Sequence, residues 1–275
     1  MRTPRPRASA IDMKRMREWM GDFGSYRVAI NEARIDRWLN QFAADDQDLA
    51  ARLLDAVDFI TYTQMVHAFR NILASLDGWH IDPASRIGKW RFAPFSGSSG
   101  ESGDTMMWQF RHANNLTGKQ YRDLFIYRRD LLGEDFGPND TVVFVDDFSG
   151  TGTQACDAWK EQLEELLPNS PRTYLVLVVA STAARNRISD ETGLTVVNNI
   201  DLTGRDNIFS AECAHFTEKE KATILEYCEK ADKREPRGFG DCGYVVVFAH
   251  KCPNNSIPIL HKRSRHWEGL FRRYD

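Results

Sequence analysis

Apolar positions recur at helical spacing through the first third of the chain. Ile35, Trp38, Leu39 and Phe42 form one stripe, and Leu49, Leu53, Leu54 and Val57 form a second. Met65, Phe69, Ile72, Leu73 and Leu76 form a third behind Thr63, a residue of N-cap type, and Asp77-Gly78 ends it. Period alone therefore predicts a helical N-terminal extension over residues 1–83. The pattern then changes. Lys89 to Phe95 reads as a strand and opens into a Gly- and Ser-rich loop that ends at Asp104, placed to cap a helix carrying Met106, Met107, Phe110 and Ala113. Asp123 to Tyr127 is short enough for a strand. Gly137-Pro138-Asn139-Asp140 makes a turn, Thr141 to Val145 a continuous apolar strand, Asp146 to Gln154 a loop, and Ala155 to Leu167 an amphipathic helix closed by Pro168. Thr173 to Ala180, Leu194 to Ile200 and Tyr244 to Ala249 are further strands, with a charged helix at Thr217 to Ala231. Strands apolar on both faces belong to a parallel sheet covered on each side. The predicted fold is thus α/β: a mainly parallel open sheet flanked by helices over residues 84–275, with its ligand at the carboxyl ends of the strands.

Composition changes this picture little. The chain has 275 residues, 42% hydrophobic and 27% charged, which is ordinary for a globular protein and excludes fibrous and disordered classes. Apolar runs such as Tyr174 to Ala180 are far too short to span a bilayer, and the Arg-rich start lacks a signal-peptide core, so a cytoplasmic protein with no membrane contact is expected. Thirty-six basic against 39 acidic residues give a net charge of −3, without a global field toward nucleic acid. The ends are basic: Arg2, Arg5, Arg7, Lys14, Arg15 and Arg17 at the start, and Lys262, Arg263, Arg265, Arg272 and Arg273 at the close. Solvated tails account for both, and accessory contact with a partner protein or nucleic acid is the alternative. The five cysteines, Cys156, Cys213, Cys228, Cys242 and Cys252, contain no C-x-x-C pair and read as reduced thiols, without a structural metal.

Chemistry concentrates in residues 142–154, Val-Val-Phe-Val-Asp-Asp-Phe-Ser-Gly-Thr-Gly-Thr-Gln. A buried strand delivers Asp146 and Asp147 to a sheet edge, where idle carboxylates would be costly, and a small-residue turn leads into a helix start. Ser149, Gly150, Thr151, Gly152, Thr153 and Gln154 offer backbone N–H groups and hydroxyls for a phosphate. The acids cannot bind that phosphate themselves. They must accept hydrogen bonds from sugar hydroxyls or hold a cation, so the pair implies a phosphorylated sugar or nucleotide with Mg²⁺.

This string resembles the phosphoribosyl pyrophosphate motif of type I phosphoribosyltransferases. The resemblance implies that Asp146 and Asp147 hold the ribose 2′ and 3′ hydroxyls and a Mg²⁺ ion, and that Ser149 to Gln154 enclose the 5′-phosphate. It also implies a pyrophosphate loop at Ser96, Gly97, Ser98, Ser99, Gly100, Ser102 and Gly103, although a polar loop of this kind is by default a connection. Two positions depart from the family. Many purine-type members have a third acid where this chain has Gly150, so the base that acts on the incoming nucleobase is missing, and Gln154 replaces the usual Ser or Thr. More of the chain resembles the phosphoribosyltransferase-like domains of bacterial conflict and anti-phage operons, including those beside retrons. The stretches concerned are Phe59 to Leu73, Ser-Gly-Glu-Ser-Gly-Asp with its following helix, Asp-Asp-Phe-Ser-Gly-Thr-Gly, and Asn254 to Leu260 with Trp267 and Phe271. That resemblance implies an anti-phage effector acting by displacement at the ribose anomeric carbon and restrained by a partner.

Other readings compete. A non-catalytic nucleotide sensor or scaffold in a nucleoprotein defence complex is one, motivated by Gly150. Asp147 to Thr153 also resembles the cofactor loop of amino-methyltransferases, but their Pro-Pro element is absent from the chain. Gly118-Lys119-Gln120 lacks the rest of a Walker loop. None of the seven histidines shows a metal-ligand spacing, and each reads as a surface or capping residue. Arg111, Arg128 and Arg129 are candidates to neutralise pyrophosphate, against a plain role as solvated charges. Trp267, Phe271 and Tyr274 are placed either to stack on an acceptor base or to pack onto the helical extension.

Overall fold

The computed structural model describes residues 13–95, 102–167 and 171–273, and of Ser102 the backbone alone. Its elements run α1 (Met13–Asp22), α2 (Glu32–Leu39), α3 (Gln47–Asp55), β1 (Asp58–Ile60), α4 (Tyr62–Ser75), β2 (Trp90–Pro94), α5 (Ser102–Ala113), β3 (Thr141–Ser149), α6 (Thr153–Ala158), β4 (Arg172–Ser181), α7 (Thr182–Thr192), β5 (Thr195–Leu202), α8 (Glu218–Ala231), β6 (Val246–Phe248) and α9 (Pro258–His261). The fold is α/β, with parallel sheets flanked by helices. Two compact units divide the chain, residues 63–203 forming one and residues 1–62 with 204–275 the other. The cuts fall at 62/63 and 203/204 rather than at the expected 83/84, because the last quarter of the chain folds with the first.

Residues 63–203 hold the sheet β2-β3-β4-β5, parallel throughout. Val142, Val143, Phe144 and Val145 are fully buried, as a strand covered on both faces requires. Phe92 and Val143 share one face by register, and Phe110 of α5 packs on Phe92 with ring centroids 5.2 Å apart, so α5 covers that face. Phe69 of α4 meets the same Phe110 at 5.6 Å. The opposite face, Val142 and Phe144, packs with Leu131, Cys156, Trp159, Leu163 and Ile188. The strand expected at 123–127 is a 3-10 turn over Lys119–Leu124 followed by a single parallel bridge, Phe92 to Phe125. That bridge still sets the topology. The chain leaves β2, visits its outer edge at Phe125, then returns across the other face to β3 on the inner side. The order reverses between β2 and β3, which makes their carboxyl ends the switch point of the sheet.

In the second unit β1 pairs with β6 in a separate parallel ladder, Asp58 to Val246 through Ile60 to Phe248. The apolar run at 244–249 therefore joins this small sheet and not the main one. Trp38 and Trp267 both donate indole N–H groups to the Ile259 carbonyl, at 2.8 and 2.9 Å, and Phe271 meets Phe23 edge-on at 5.0 Å. Trp267 and Phe271 are thus core residues packed with the N-terminal helices. Thr217 forms the capping box with Glu220 that starts α8.

His261 departs from the surface reading of the histidines: it is buried with Nε2 3.1 Å from the Ser256 carbonyl. Burial lowers its pKa to about 4. Because the folded value lies below the unfolded one near 6.5, this group's stabilising contribution is complete above pH 6.5 and is lost as the pH falls toward 4. Wild type should lose on the order of 3 kcal/mol through this group over that range. In urea titrations, His261→Gln, which keeps an N–H for Ser256 and does not titrate, should lose less; parallel pH curves for the two proteins would contradict the assignment.

Candidate functional site

Asp146 and Asp147 stand where the ladder from β2 gives out. Pro94 is the last β2 residue in register, opposite Val145, and Phe95 N–H donates the final bond to the Val145 carbonyl at 3.1 Å. The ladder to β4 continues past the acids to Ser149, opposite Ala180. The segment expected as loop from Asp146 is thus strand through Ser149, since β4 supplies its partners. Strand alternation sends the two neighbouring side chains to opposite faces. Asp146 lies on the Phe144 side, half-buried, and its carboxylate accepts the Asp147 N–H at 2.9 Å. Asp147 lies on the α5 side and is only 2% exposed.

The turn after β3 is tightly specified. Gly152 adopts φ +75° immediately before α6, and a Cβ there would sit 3.1 Å from the Ala184 carbonyl and 3.2 Å from Ile188. Its glycine is required by backbone conformation and by close packing on α7. Ser181, a buried residue at the end of β4, donates its hydroxyl to the Gly150 carbonyl at 2.7 Å and accepts the Ala184 N–H at 2.8 Å as N-cap of α7. Thr151 Oγ1 accepts the Thr153 N–H at 3.3 Å and shares a hydrogen bond with Thr153 Oγ1 at 3.1 Å. Gln154 is exposed. Helix α6 begins here and continues as a π turn over Trp159–Leu163 and a 3-10 turn over Glu164–Leu166, where a single regular helix was expected.

Other candidates divide. Ser96, Gly97, Ser98, Ser99 and Gly100 lie outside the described residues, as do Tyr274 and the arginines at 2, 5 and 7. Ser102 and Gly103 open α5, and Asp104 sits in its first turn rather than at its cap. Arg111 serves structure: Nε donates to the Leu116 carbonyl at 2.9 Å and the guanidinium lies over the Phe125 ring. Arg128 reaches Gln162, and Arg129 stands over Tyr127. Part of each basic end is paired internally, Arg15 with Asp55, Lys262 with Asp232 at 2.6 Å and Arg272 with Glu268. A cavity of about 270 Å³ lies elsewhere, around Arg91, Arg122, Asp123, Phe125, Ile126 and Glu134. There Arg91 and Lys89 hydrogen bonds to Glu134 outweigh burial and lower its pKa, and the cavity gathers none of the motif residues.

Residues of α7 were not legible as part of the site. Only Ala184 and Ile188 of this helix are buried, too few for a period, although Ser181 as N-cap and Gly193 (φ +71°) as C-cap mark its ends. Among the described residues no helix is long and apolar enough to cross a membrane.

A family model described as PRTase-CE matches residues 35–273, running through both units. No curated protein and no solved structure matches the chain.

Gly152 and Gly193 share a left-handed φ, but a Cβ at Gly193 meets nothing within 4 Å. Gly193→Ala should cost about 1 kcal/mol from backbone conformation alone, and Gly152→Ala should cost roughly 1–2 kcal/mol more through contact with α7. Urea titration compares the two; equal costs would contradict the close approach of turn and helix.

Proposed function

The chain belongs to the PRTase-CE family and carries a phosphoribosyltransferase-like domain, and from that premise we propose that the switch point between β2 and β3 binds phosphoribosyl pyrophosphate or a related ribose phosphate for displacement at the anomeric carbon. One observation carries this reading. Two adjacent aspartates occupy the stretch of β3 that outlasts β2, and a turn of Ser149, Gly150, Thr151, Gly152 and Thr153 follows them directly. Ligands of open α/β sheets bind at this position. In the proposal Asp146 and Asp147 accept hydrogen bonds from the ribose hydroxyls, and the turn holds the 5′-phosphate. Binding energy remote from C1 then positions the reacting atoms. The bond from C1 to pyrophosphate breaks, the pyrophosphate leaves with the electron pair, and the acceptor takes its place.

The donor set is compatible with Mg²⁺ in one mode. Among the described residues no group of three or more His, Cys, Asp or Glu is placed to hold a metal. Mg²⁺ commonly needs only one or two carboxylates when substrate phosphates and water complete its shell, and Asp146, the less buried of the pair, would supply one. The ion would neutralise charge on the departing pyrophosphate.

A sensor is the second reading, favoured by Gly150: its carbonyl is held by Ser181, and no acid occupies the position of the family's base. Pyrophosphate release separates the two. The resemblance to domains of conflict and anti-phage operons supports a defence effector restrained by a partner protein or nucleic acid.

Asp146→Asn combined with Asp147→Asn should slow pyrophosphate release from phosphoribosyl pyrophosphate tenfold to a hundredfold, about 1.5 to 3 kcal/mol in transition-state binding, with the fold intact by circular dichroism. Unchanged release would refute the roles of the two acids.

A further inference from the structure

The turn that follows β3 is served by a side chain from outside the motif. Arg187 of α7 donates through Nη1 to Thr153 Oγ1 at 2.7 Å, and the same nitrogen lies 3.5 Å from the Thr151 carbonyl. Its Nε donates to Glu191 at 2.7 Å, and Lys160 meets the other oxygen of Glu191 at 2.6 Å. Glu191 is thus shared by two cations, and Asp157 lies close enough to Arg187 to act on it as a second anion, so the cluster is near neutral. The seat is rigid, because Ser181 ties α7 to the Gly150 carbonyl and Gly152 packs against Ala184.

Hydrogen-bond capacity now decides what the turn offers. A threonine hydroxyl has two acceptor positions and one proton. Thr153 Oγ1 accepts from Arg187 Nη1, Thr151 Oγ1 accepts the Thr153 N–H, and the two hydroxyls share one hydrogen bond; whichever of them accepts it has both acceptor positions filled and its own proton left to give outward. Such a hydroxyl complements an oxygen that only accepts, as phosphate oxygens do, and offers nothing to a neutral N–H group. We propose that Arg187 is a positioning residue that selects a phosphate monoester at this turn, by filling an acceptor position of Thr153 Oγ1 so that the Thr151–Thr153 hydroxyl pair meets the ligand as a donor. The proposal rests on the sugar-phosphate reading above and extends it to a residue that the motif does not contain.

Calorimetry on the full chain with two probes, ribose 5-phosphate and inorganic pyrophosphate with Mg²⁺, tests it. Arg187→Met should weaken ribose 5-phosphate binding by about tenfold or more, while pyrophosphate affinity stays within about twofold. Thr153→Val should weaken the same probe and Thr153→Ser should restore it. The Arg187→Met, Thr153→Val double variant should lose less than the product of the single losses, since both act through one hydroxyl. Wild-type affinity for ribose 5-phosphate in Arg187→Met, or an equal loss for both probes, overturns the role of Arg187 and leaves the sugar-phosphate reading standing. Failure of the wild type to bind ribose 5-phosphate overturns both. The Thr153 pair keeps the test decisive if Arg187→Met fails to fold, because Thr153→Val binding as tightly as Thr153→Ser removes the hydroxyl on which the proposal depends.

Discussion

The difference in length between two neighbouring ladders organises the candidate site. β3 is paired with β2 only to Val145, yet with β4 as far as Ser149. A parallel sheet ordinarily hides its strands on both faces, and this one does so through Val145, where every residue from Val142 onward is fully buried. Past that point, among the described residues, the strand is laddered on the β4 side. Polar residues become tolerable there, and Asp146, Asp147 and Ser149 follow at once. The reversal of strand order puts this stretch at the place where a doubly wound sheet opens a crevice.

The turn beyond it is held as firmly as the strand. Ser181 bonds the Gly150 carbonyl and caps α7 with the same hydroxyl, while Gly152 approaches the backbone of α7 so closely that a Cβ would sit 3.1 Å from the Ala184 carbonyl. The outer cations share Glu191, whose carboxyl is held down to a pKa of about 2 by hydrogen bonds from Lys160 and Arg187. The loop is therefore held by contacts within the chain itself, the condition under which fixed donors act on an anion with little reorganisation.

Legibility in the sequence followed locality. The continuous apolar runs at 141–145 and 173–180 announced buried strands, and the Asp-Asp pair with its small-residue turn announced the site, because each signal lies within a few neighbouring residues. Asp146 to Ser149 read as loop by composition, and only pairing with β4 makes it strand. The apolar run ending at Ala249 is indistinguishable in composition from a main-sheet strand, but its partner is Asp58–Ile60, nearly two hundred positions away in sequence, where three residues carry no period of their own. The seat of the turn was hidden for the same reason: Ser181 and Arg187 are polar residues in and around a helix with two buried apolar positions, and their importance comes from what they touch.

The central claim is that Asp146, Asp147 and the turn after them grip a pentose bearing phosphate. Titration of phosphoribosyl pyrophosphate into the wild-type protein, with and without Mg²⁺, measures this directly. The account predicts saturable binding of one ligand per chain, strengthened by Mg²⁺ and displaced by ribose 5-phosphate. Absence of binding at millimolar ligand, or binding that ribose 5-phosphate leaves untouched, would contradict it.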